Sequence, residues 1–446
     1  MMNYVKRTLC RAGLVLLFVP ALLPSNNTNR WIPILERPES YVFQQRSNIT
    51  ASFMYAAGST GDQRGGGKVG IPELWGRYNL DDVIKSYRTV YPTANDPRIA
   101  TGNPALVDQA LRFGISGKIE AAGLLLNGQW HLGWQHLWLG ARLPVLSLRS
   151  TARYDYNRDA SANIFSEQQN YYDRDASGKV FLRQSYRYPS SLVDKIRRLT
   201  HDAIGFHSNQ FTKTGLGDLD VFARWHHVFD HALLTRTIDT AVQVGSLMPT
   251  GIERDAAIPS SIPSANNGHW GMYLDWVTGI ELKQDLTFGL MFGFTHLFSK
   301  AKMQRIATGN EPTIFSALQA PVRIEPGFSF KFSPYVVLGN LTDGLDFQAR
   351  YSYLRHGDDE WYDQRSEAEK LATPSYLQKD ADIVAGKKRL TRWRAHYMSF
   401  SLRYDTAVAM EKIKFAPRFF IGYDMPMNGS AFAKVHAVNL GAELQF

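Results

Sequence analysis

Apolar and polar side chains alternate one for one along many segments of this chain. Between residues 269 and 283, for example, Trp270, Met272 and Leu274 share one parity, whereas Tyr273 and Asp275 share the other. Successive side chains of a β-strand point to opposite faces, so the pattern predicts strands with one apolar and one polar face. The segments that show it are 48–58, 113–130, 136–148, 216–229, 235–248, 269–283, 286–300, 322–336, 345–356, 392–405, 415–425 and 435–446.

The connections between these segments alternate in length. Short ones lie near 131–135, 230–234, 284–285, 337–344 and 406–414, long ones near 59–112, 149–215, 249–268, 301–321 and 357–391, and 426–432 is brief. This rhythm and an even strand number are typical of membrane barrels. The sequence therefore predicts an all-β fold, an antiparallel up-and-down transmembrane β-barrel of about twelve strands. Its long extracellular loops contain one or two short helices, and both termini and the short turns face the periplasm.

The polar parity is predicted to face the lumen, because arginine on the lipid-facing side of a barrel costs about 2–4 kcal/mol at mid-membrane. The predicted lumen-lining residues are Lys118, Glu120, Arg142, Asp218, Asp220, Arg224, Asp239, Tyr273, Asp275, Glu281, Arg323, Glu325, Lys331, Asp346, Arg350, Arg403, Arg418, Asp424 and Glu443. Their charges nearly balance, which leaves two interpretations open: a salt-bridge network that braces a narrow barrel, or a polar, weakly selective passage. The rings expected at the membrane interfaces are Trp225, Trp270, Trp276, Tyr351, Tyr353 and Tyr404.

The N-terminal residues predict export. Lys6, Arg7 and Arg11 flank an apolar run from Ala12 to Pro24, which is too short to cross a bilayer as a helix and is typical of a secretory signal peptide. We expect residues 1–25 to be that signal peptide, residues 26–47 a periplasmic N-terminal segment and residues 48–446 the barrel. A short buried helix is the alternative for the apolar run.

The last alternating segment ends on Phe446. A chain that ends on phenylalanine directly after such a strand resembles bacterial outer-membrane β-barrels, whose insertion machinery recognises a terminal aromatic residue. Phe446 is therefore the expected membrane-insertion signal.

Composition removes several classes of protein. The 446 residues include 50 Lys and Arg against 41 Asp and Glu, and 13% are aromatic. A mean hydropathy of −0.27 is too polar for a bundle of membrane helices. The single cysteine, Cys10, excludes an intramolecular disulfide framework. The net charge of +9 follows no stripe along the chain, so nucleic acid is not an expected partner.

One long loop is predicted to contain a helix over residues 190–205. Its apolar residues recur at helical spacing, Ser191 and Asp194 resemble a capping box, and Gly205 suits the C-terminal cap. The helix either folds inward as a constriction or packs across the barrel rim. Asn103 and Pro104 open a second candidate helix.

The same loop contains a local repeat, 156–161 and 172–177, which we interpret as two arms of a surface hairpin. Asp173, Asp175 and Ser177 have the spacing of calcium ligands, but Gln184 stands where a bidentate glutamate is needed. No metal site is therefore expected.

One short motif has the composition of a catalytic site. His207-Ser208-Asn209 resembles the His-x-Ser-Asn of outer-membrane phospholipases and lipid A deacylases. Those enzymes need one residue between His and Ser to place both on one strand face, and here the two are adjacent. No catalytic residue and no cofactor are expected. His226 and His227 are likewise adjacent on a predicted strand, so they are not expected to form a metal pair.

Two segments carry a family resemblance. Residues 214–225 contain Gly215-Leu216-Gly217-Asp218, and residues 242–251 end on Pro249-Thr250-Gly251. These motifs resemble the outer-membrane channel family named for the meta-pathway of phenol degradation. That resemblance implies passive uptake of small organic compounds, often apolar or aromatic.

The leading hypothesis is a channel in the bacterial outer membrane for passive or gated passage of small solutes. The alternative is an adhesin or receptor whose barrel anchors partner-binding loops, and an outer-membrane lipid hydrolase ranks third. The expected partners are outer-membrane lipid and lipopolysaccharide, the barrel-insertion machinery and a small-molecule solute.

Overall fold

A computed structural model describes residues 29–32, 47–64, 66–93, 97, 114–133, 136–155, 172–174, 180–182, 190–230, 235–371, 391–406 and 417–446. Within these ranges, no helix is both long and apolar enough to cross a membrane.

Most of the described residues belong to strands. In chain order the strands are β1 (Asn48–Asp62), β2 (Lys68–Gly70), β3 (Gly114–His131), β4 (Leu137–Asp155), β5 (Tyr172–Arg174), β6 (Val180–Leu182), β7 (Gln210–Leu216), β8 (Leu219–Asp230), β9 (Thr237–Met248), β10 (Gly271–Lys283), β11 (Leu286–Leu297), β12 (Lys300–Arg305), β13 (Gln319–Glu325), β14 (Ser329–Thr342), β15 (Leu345–His356), β16 (Glu360–Asp363), β17 (Trp393–Asp405), β18 (Arg418–Ser430) and β19 (Phe432–Gln445). The helices are α1 (Leu80–Val90), α2 (Ser190–Ala203) and α3 (Glu367–Leu371), with 3-10 turns at Ile71–Trp75 and Thr313–Phe315.

The wall is a closed antiparallel barrel of twelve strands, as predicted. Its order around the ring is β1, β3, β4, β7 with β8, β9, β10, β11, β14, β15, β17, β18 and β19. β7 and β8 pair with successive stretches of β4 and together make one wall strand with a break at Gly217 and Asp218. The first and last strands close the ring, with Ile49 opposite Leu444 and Tyr55 opposite Val438.

The outer face of the wall is apolar over most of its height. In β1, Asn48, Thr50 and Ser52 are buried inside, whereas Ile49 and Phe53 are exposed outside. Leu440, on the neighbouring strand, is 57% exposed. Exposed rings and branched side chains all around the barrel form the surface of a protein that crosses a bilayer, so the predicted assignment of the two faces is confirmed over this part of the wall.

The two faces exchange character toward the end of the barrel that carries the long loops, which we call the loop end. In β3 the inward Ile115 and Ile119 are fully buried, while Lys118 points outward and pairs with Glu120. The placement of Lys118 and Glu120 in the lumen was therefore wrong. Parity assigns a charge to the lumen only where lipid lies outside, and at the loop end the outer wall is polar, as it would be in water.

The predicted strand 322–336 was also wrong in its bounds. Residues 319–325 form β13 in a separate three-stranded sheet with β12 and β16, and the wall strand β14 begins at Ser329. Arg323 and Glu325 therefore lie outside the barrel wall. The alternation of apolar and polar residues continues on both sides of Pro326-Gly327, so the pattern alone does not mark the break.

Folded loops fill the loop end of the barrel. We call them the loop assembly: residues 29–32, 71–90, 190–206, 249–270, 300–325 and 357–363. Trp31, Ile71 and Ile252 pack on the apolar inner wall formed by residues such as Met54 and Leu146. The inner wall is thus apolar where loops cover it and polar in the half that carries the short turns, which we call the turn end.

Two helices of the loop assembly pack together on the inner wall. Ile196 of α2 and Val83 and Ile84 of α1 share one buried cluster with the inward-facing Ile115 and Ala152. The helix predicted over 190–205 is confirmed, and Gly205 adopts a left-handed φ of 75° directly after it. α1 was not predicted, although Asn79 caps it by accepting a hydrogen bond from the amide of Asp81.

Residues 29–32 lie inside the loop end, because the amide of Ala433 donates to the carbonyl of Arg30. This position differs from the periplasmic one expected for residues 26–47. A hairpin does form at the repeat, but its arms are β5 and β6, both after the first copy. The signal peptide, the helix at Asn103 and most of the calcium-like loop lie outside the described residues.

Candidate functional site

The turn-end half of the lumen is lined by two polar networks. The first joins Arg142, Asp220, Arg224, Gln243 and Tyr273 on β4, β8, β9 and β10. Arg142 Nη1 lies 3.4 Å from Asp220 Oδ2, and the Tyr273 hydroxyl donates to the same oxygen at 3.0 Å. Arg224 Nη2 donates to Gln243 Oε1 at 2.7 Å. These bonds run from strand to strand around the wall.

The Phe222 ring and the missing side chain of Gly245 determine where the side chains of this network lie. The guanidinium of Arg142 lies over the ring of Phe222, 4.6 Å from its centre. A side chain at Gly245 would come within 2.4 Å of the Tyr273 ring, so glycine lets that ring lie flat on the wall. The tyrosine hydroxyl is thereby held beside Asp220.

The second network lies on β15, β17, β18 and β19. Arg350 Nη2 is 3.7 Å from Asp424 Oδ1 and donates to Ser399 Oγ at 3.2 Å. Arg403 Nε donates to Asp346 Oδ2 at 3.2 Å. The remaining pairs are Arg418 with Asp405 and Arg418 with Glu443. These pairs also join strands that are neighbours or next neighbours in the wall.

The structure brings most of the predicted lumen residues onto the inner face. Those that face inward are Arg142, Asp220, Arg224, Asp239, Tyr273, Asp275, Glu281, Lys331, Asp346, Arg350, Arg403, Arg418, Asp424 and Glu443. Lys118 and Glu120 face outward, and Arg323 and Glu325 belong to the three-stranded sheet of β12, β13 and β16, where Arg323 lies over the Tyr362 ring. Asp218 occupies the break between β7 and β8.

Asp218 joins the two motifs that carry the family resemblance. Its Oδ1 accepts from the amide of Gly251 at 3.0 Å, and its Oδ2 accepts from the amide and side chain of Asn266, each at 3.0 Å. A Cβ at Gly251 would lie 2.7 Å from Asp218 Oδ1, so only glycine permits this approach. Thr250 adds a bond of 2.6 Å from Oγ1 to the carbonyl of Gly217. The break in the wall therefore anchors loop 249–270.

Arg305 connects three different loops of the loop assembly. Its guanidinium donates to the carbonyls of Ala256 at 2.6 Å, Ser316 at 2.7 Å and Ile204 at 3.0 Å. It also lies over the Phe206 ring at 4.1 Å. Burial lowers the pKa of Arg305 to about 10, which leaves it charged at neutral pH.

A cavity of about 110 Å³ lies within the loop assembly, where residues 29–31 meet loop 249–270 and the loop ends of β11, β15 and β17. Burial lowers the pKa of both Arg30 and Arg254, which line it, to about 10. Burial also lowers the pKa of His269 to about 4 and that of the adjacent Lys302 to about 8. Sequence reasoning missed this site. The one signal was the Pro249-Thr250-Gly251 motif, which begins the loop that carries Arg254.

His207 and Ser208 make separate contacts. The amide of His207 donates to the carbonyl of Ala257 at 3.2 Å, and Ser208 Oγ accepts from the amide of Gln210 at 2.9 Å. In the part of the chain that the structure describes, no group of three or more His, Cys, Asp or Glu side chains is placed to hold a metal ion.

No family model matches the chain, and no curated protein is significantly similar to it in sequence. The family resemblance therefore rests on residues 214–225 and 242–251 alone. Among solved structures, the chain is similar to an outer-membrane channel from Pseudomonas putida F1, at 11% identity and a TM-score of 0.47 over 92% of this chain and 100% of that one. It is also similar to the translocator domain of the autotransporter NalP from Neisseria meningitidis, at 10% identity and a TM-score of 0.34 over 91% and 90% of the two chains. A Pseudomonas aeruginosa FadL homologue has 9% identity and a TM-score of 0.29 over 91% of each chain. These likenesses concern barrel architecture only.

Proposed function

We propose that this chain is a channel of the bacterial outer membrane that admits small solutes, and that its loop assembly restricts their passage. The proposal rests on how the lumen charges are paired. Arg142 with Asp220 and Arg403 with Asp346 join adjacent wall strands, so these ion pairs brace the wall along its circumference. The turn-end half of the lumen therefore has a polar lining, and the loop assembly, not the wall charges, closes the loop end.

Loops can open without breaking the wall, because the hydrogen-bonded ring from β1 to β19 does not depend on them. A barrel sealed by its own wall charges could not open in this way. The balanced signs of the lining predict weak selection between anions and cations.

Single-channel conductance in planar bilayers tests the proposal. We compare the wild type with Phe315→Ala, which removes a fully buried ring from the cluster that holds α1 and α2. The expected result is brief openings of the wild type and several-fold more frequent openings of the variant, because the empty space left by the removed Phe315 ring loosens the loop assembly. Phe432→Ala is the matched control, since Phe432 is equally buried but belongs to the wall strand β19. Silence of both folded proteins would overturn the proposal.

A receptor or adhesin is the second candidate. It is favoured by the length of β3 and β4, which have 18 and 19 residues. Arg149 and Arg153 point outward near the loop end of β4, beside Lys118 and Glu120 of β3. Their polar outer surface stands clear of the apolar belt and could carry partner-binding loops. Deletion of the loop between β4 and α2 should then abolish partner binding to whole cells while conductance stays unchanged. Unchanged binding after the deletion would exclude this function for that loop.

A further inference from the structure

The cavity in the loop assembly contains a half-buried cation that forms no salt bridge with any residue that the structure describes. Arg254 lines the cavity, and its backbone amide donates to Asn267 Oδ1 at 3.0 Å. Its Nε is buried and has no hydrogen-bond acceptor among the same residues. A buried donor without a partner is costly, so an anion that accepts a hydrogen bond from this Nε would stabilise the site.

The acidic residue at the cavity is already engaged. Asp359 Oδ1 accepts from His356 Nε2 at 2.8 Å and from the amide of Gly327 at 2.8 Å. Burial raises the pKa of Asp359, but the charge and hydrogen bond of His356, together with the Gly327 amide and Arg30, lower it further, and the net pKa is below its usual value. One carboxylate, that of Asp359, therefore lines the cavity together with two guanidinium groups, those of Arg30 and Arg254, so the lining carries an excess of positive charge.

The rest of the lining is aromatic and apolar. Trp31, Trp361 and Trp393 contribute indole rings, and Leu297 and Ile324 contribute branched side chains. The indole Nε1 of Trp361 is buried and also has no acceptor among the described residues. A volume of about 110 Å³ approaches the roughly 150 Å³ of an apolar cavity that accepts benzene. Because the volume is below that value, the cavity takes no more than one ring, and the guanidinium of Arg254 favours a ring that carries a small anionic group.

We propose that this cavity binds a small single-ring aromatic carboxylate, with its carboxylate on Arg254 and its ring against the tryptophans. The inference rests on the proposed function, for which it names the class of solute. Carboxylate geometry matches the planar fork of arginine, which can donate two parallel hydrogen bonds. The cavity is then the first binding site inside the loop end, ahead of the polar half of the lumen.

The position of Arg254 depends on the break in the wall. Asp218 fixes Gly251 and Asn266, and these residues flank Arg254 in loop 249–270. Asn267 then holds the backbone of Arg254. The guanidinium is therefore placed by a chain of hydrogen bonds that begins on the wall.

Equilibrium dialysis of radiolabelled benzoate against the full-length protein in detergent tests the proposal. Unlabelled benzoate should compete at least about tenfold better than benzyl alcohol, which keeps the ring, or acetate, which keeps the charge. Arg254→Gln should weaken benzoate binding about 10- to 100-fold, because the charged hydrogen bonds are lost. Arg198→Gln is the matched control, since Arg198 is exposed on α2 and should leave binding unchanged. Equal competition by benzoate and benzyl alcohol, or full binding by Arg254→Gln, would overturn the proposal.

The altered electrophoretic mobility of an unheated, folded barrel verifies that each variant is folded. If Arg254→Gln does not fold, the ranking of the three competitors on the wild type decides alone. Liposome swelling separates this inference from the channel function. Swelling without preference for benzoate would leave the channel and remove the site, whereas benzoate binding by a protein that never swells liposomes would leave the site and remove the channel.

Discussion

Single buried residues in the loop assembly are expected to make its stability depend on pH, and His201 is the clearest case. Its Nε2 lies 3.0 Å from the Tyr78 hydroxyl, and Arg197 Nη1 is 3.5 Å from its Nδ1. Burial, with added repulsion from Arg197 and Arg305, lowers the pKa of His201 to about 3. The folded loops therefore hold this imidazole neutral between the two helices.

Acidification should loosen the loop assembly. The folded pKa of His201 lies below the 6.5 of a free histidine, so the unfolded loop takes up the proton first. Stability is present above pH 6.5 and is lost toward pH 3, by about 1.4 kcal/mol for each pH unit. Hydrogen exchange of residues 190–206, corrected for intrinsic rates, should show falling protection over this range. His201→Gln should flatten the dependence, and an unchanged slope in that variant would contradict the assignment.

Asp218 makes a second test at this scale. Asp218→Asn leaves one oxygen where two accepted three hydrogen bonds, so at least one donor on Gly251 or Asn266 loses its partner at a cost of about 1–3 kcal/mol. We expect faster amide exchange at residues 249–267 with the wall strands unchanged. Asp202→Asn, an exposed position on α2, is the control. Uniform loss of protection in both loop and wall would show that Asp218 serves the barrel as a whole.

At the scale of elements, the loops contact one another as well as the wall strands that carry them. The three loops that contribute Ile204, Ala256 and Ser316 meet only through long-range contacts, and Arg305 donates to a carbonyl of each. Such a centre has no periodic signature, because its partners are backbone oxygens from segments far apart in sequence. Sequence reasoning predicted the helix over 190–205 from the spacing of its own apolar residues, but it could not identify Arg305, which binds the carbonyl of Ile204 directly after that helix.

Loss of Arg305 should release the loops together. In Arg305→Met three carbonyls, two of them buried, lose their donor, and we expect limited proteolysis of residues 190–206 and 249–270 to accelerate at least about tenfold. The barrel should keep its unheated electrophoretic mobility. Arg323→Met is the control, since Arg323 lies on β13 and pairs with Glu325, and this variant should be cleaved at the wild-type rate. Release of only one loop would mean that Arg305 does not couple them.

At the scale of the whole molecule, one rule explains both the success and the failure of sequence reasoning. The alternation of apolar and polar residues identified twelve strands and their faces. It did so because, over most of the wall, the outer face contacts lipid and the inner face carries polar side chains. It failed at Lys118 and Glu120, where the outer face becomes polar and the inner face becomes the support of a folded core. The cavity was beyond its reach, since Arg30, Arg254 and Asp359 come from three non-periodic segments.

The height of the apolar belt can be measured with arginine substitutions. Phe53→Arg places a charge on the lipid face beside Leu124 and Leu440, and should destabilise the barrel by about 2–4 kcal/mol. Thr212→Arg, outward and paired with Arg149, should cost less than about 1 kcal/mol because that part of the wall is polar. Denaturant unfolding in lipid vesicles gives both values. Equal costs would contradict the boundary inferred from Lys118 and Glu120.

The interrupted wall strand would couple the surrounding lipid to the proposed ligand site. Asp218 sits in the break between β7 and β8 and holds loop 249–270, so a change in wall spacing at the break alters the position of Arg254. Bilayer thickness acts on barrel walls through hydrophobic mismatch. Thermodynamic reciprocity then requires that a ligand seated on Arg254 stiffen the wall as much as a well-matched bilayer tightens the ligand. The affinity for the solute would then depend on the thickness of the membrane.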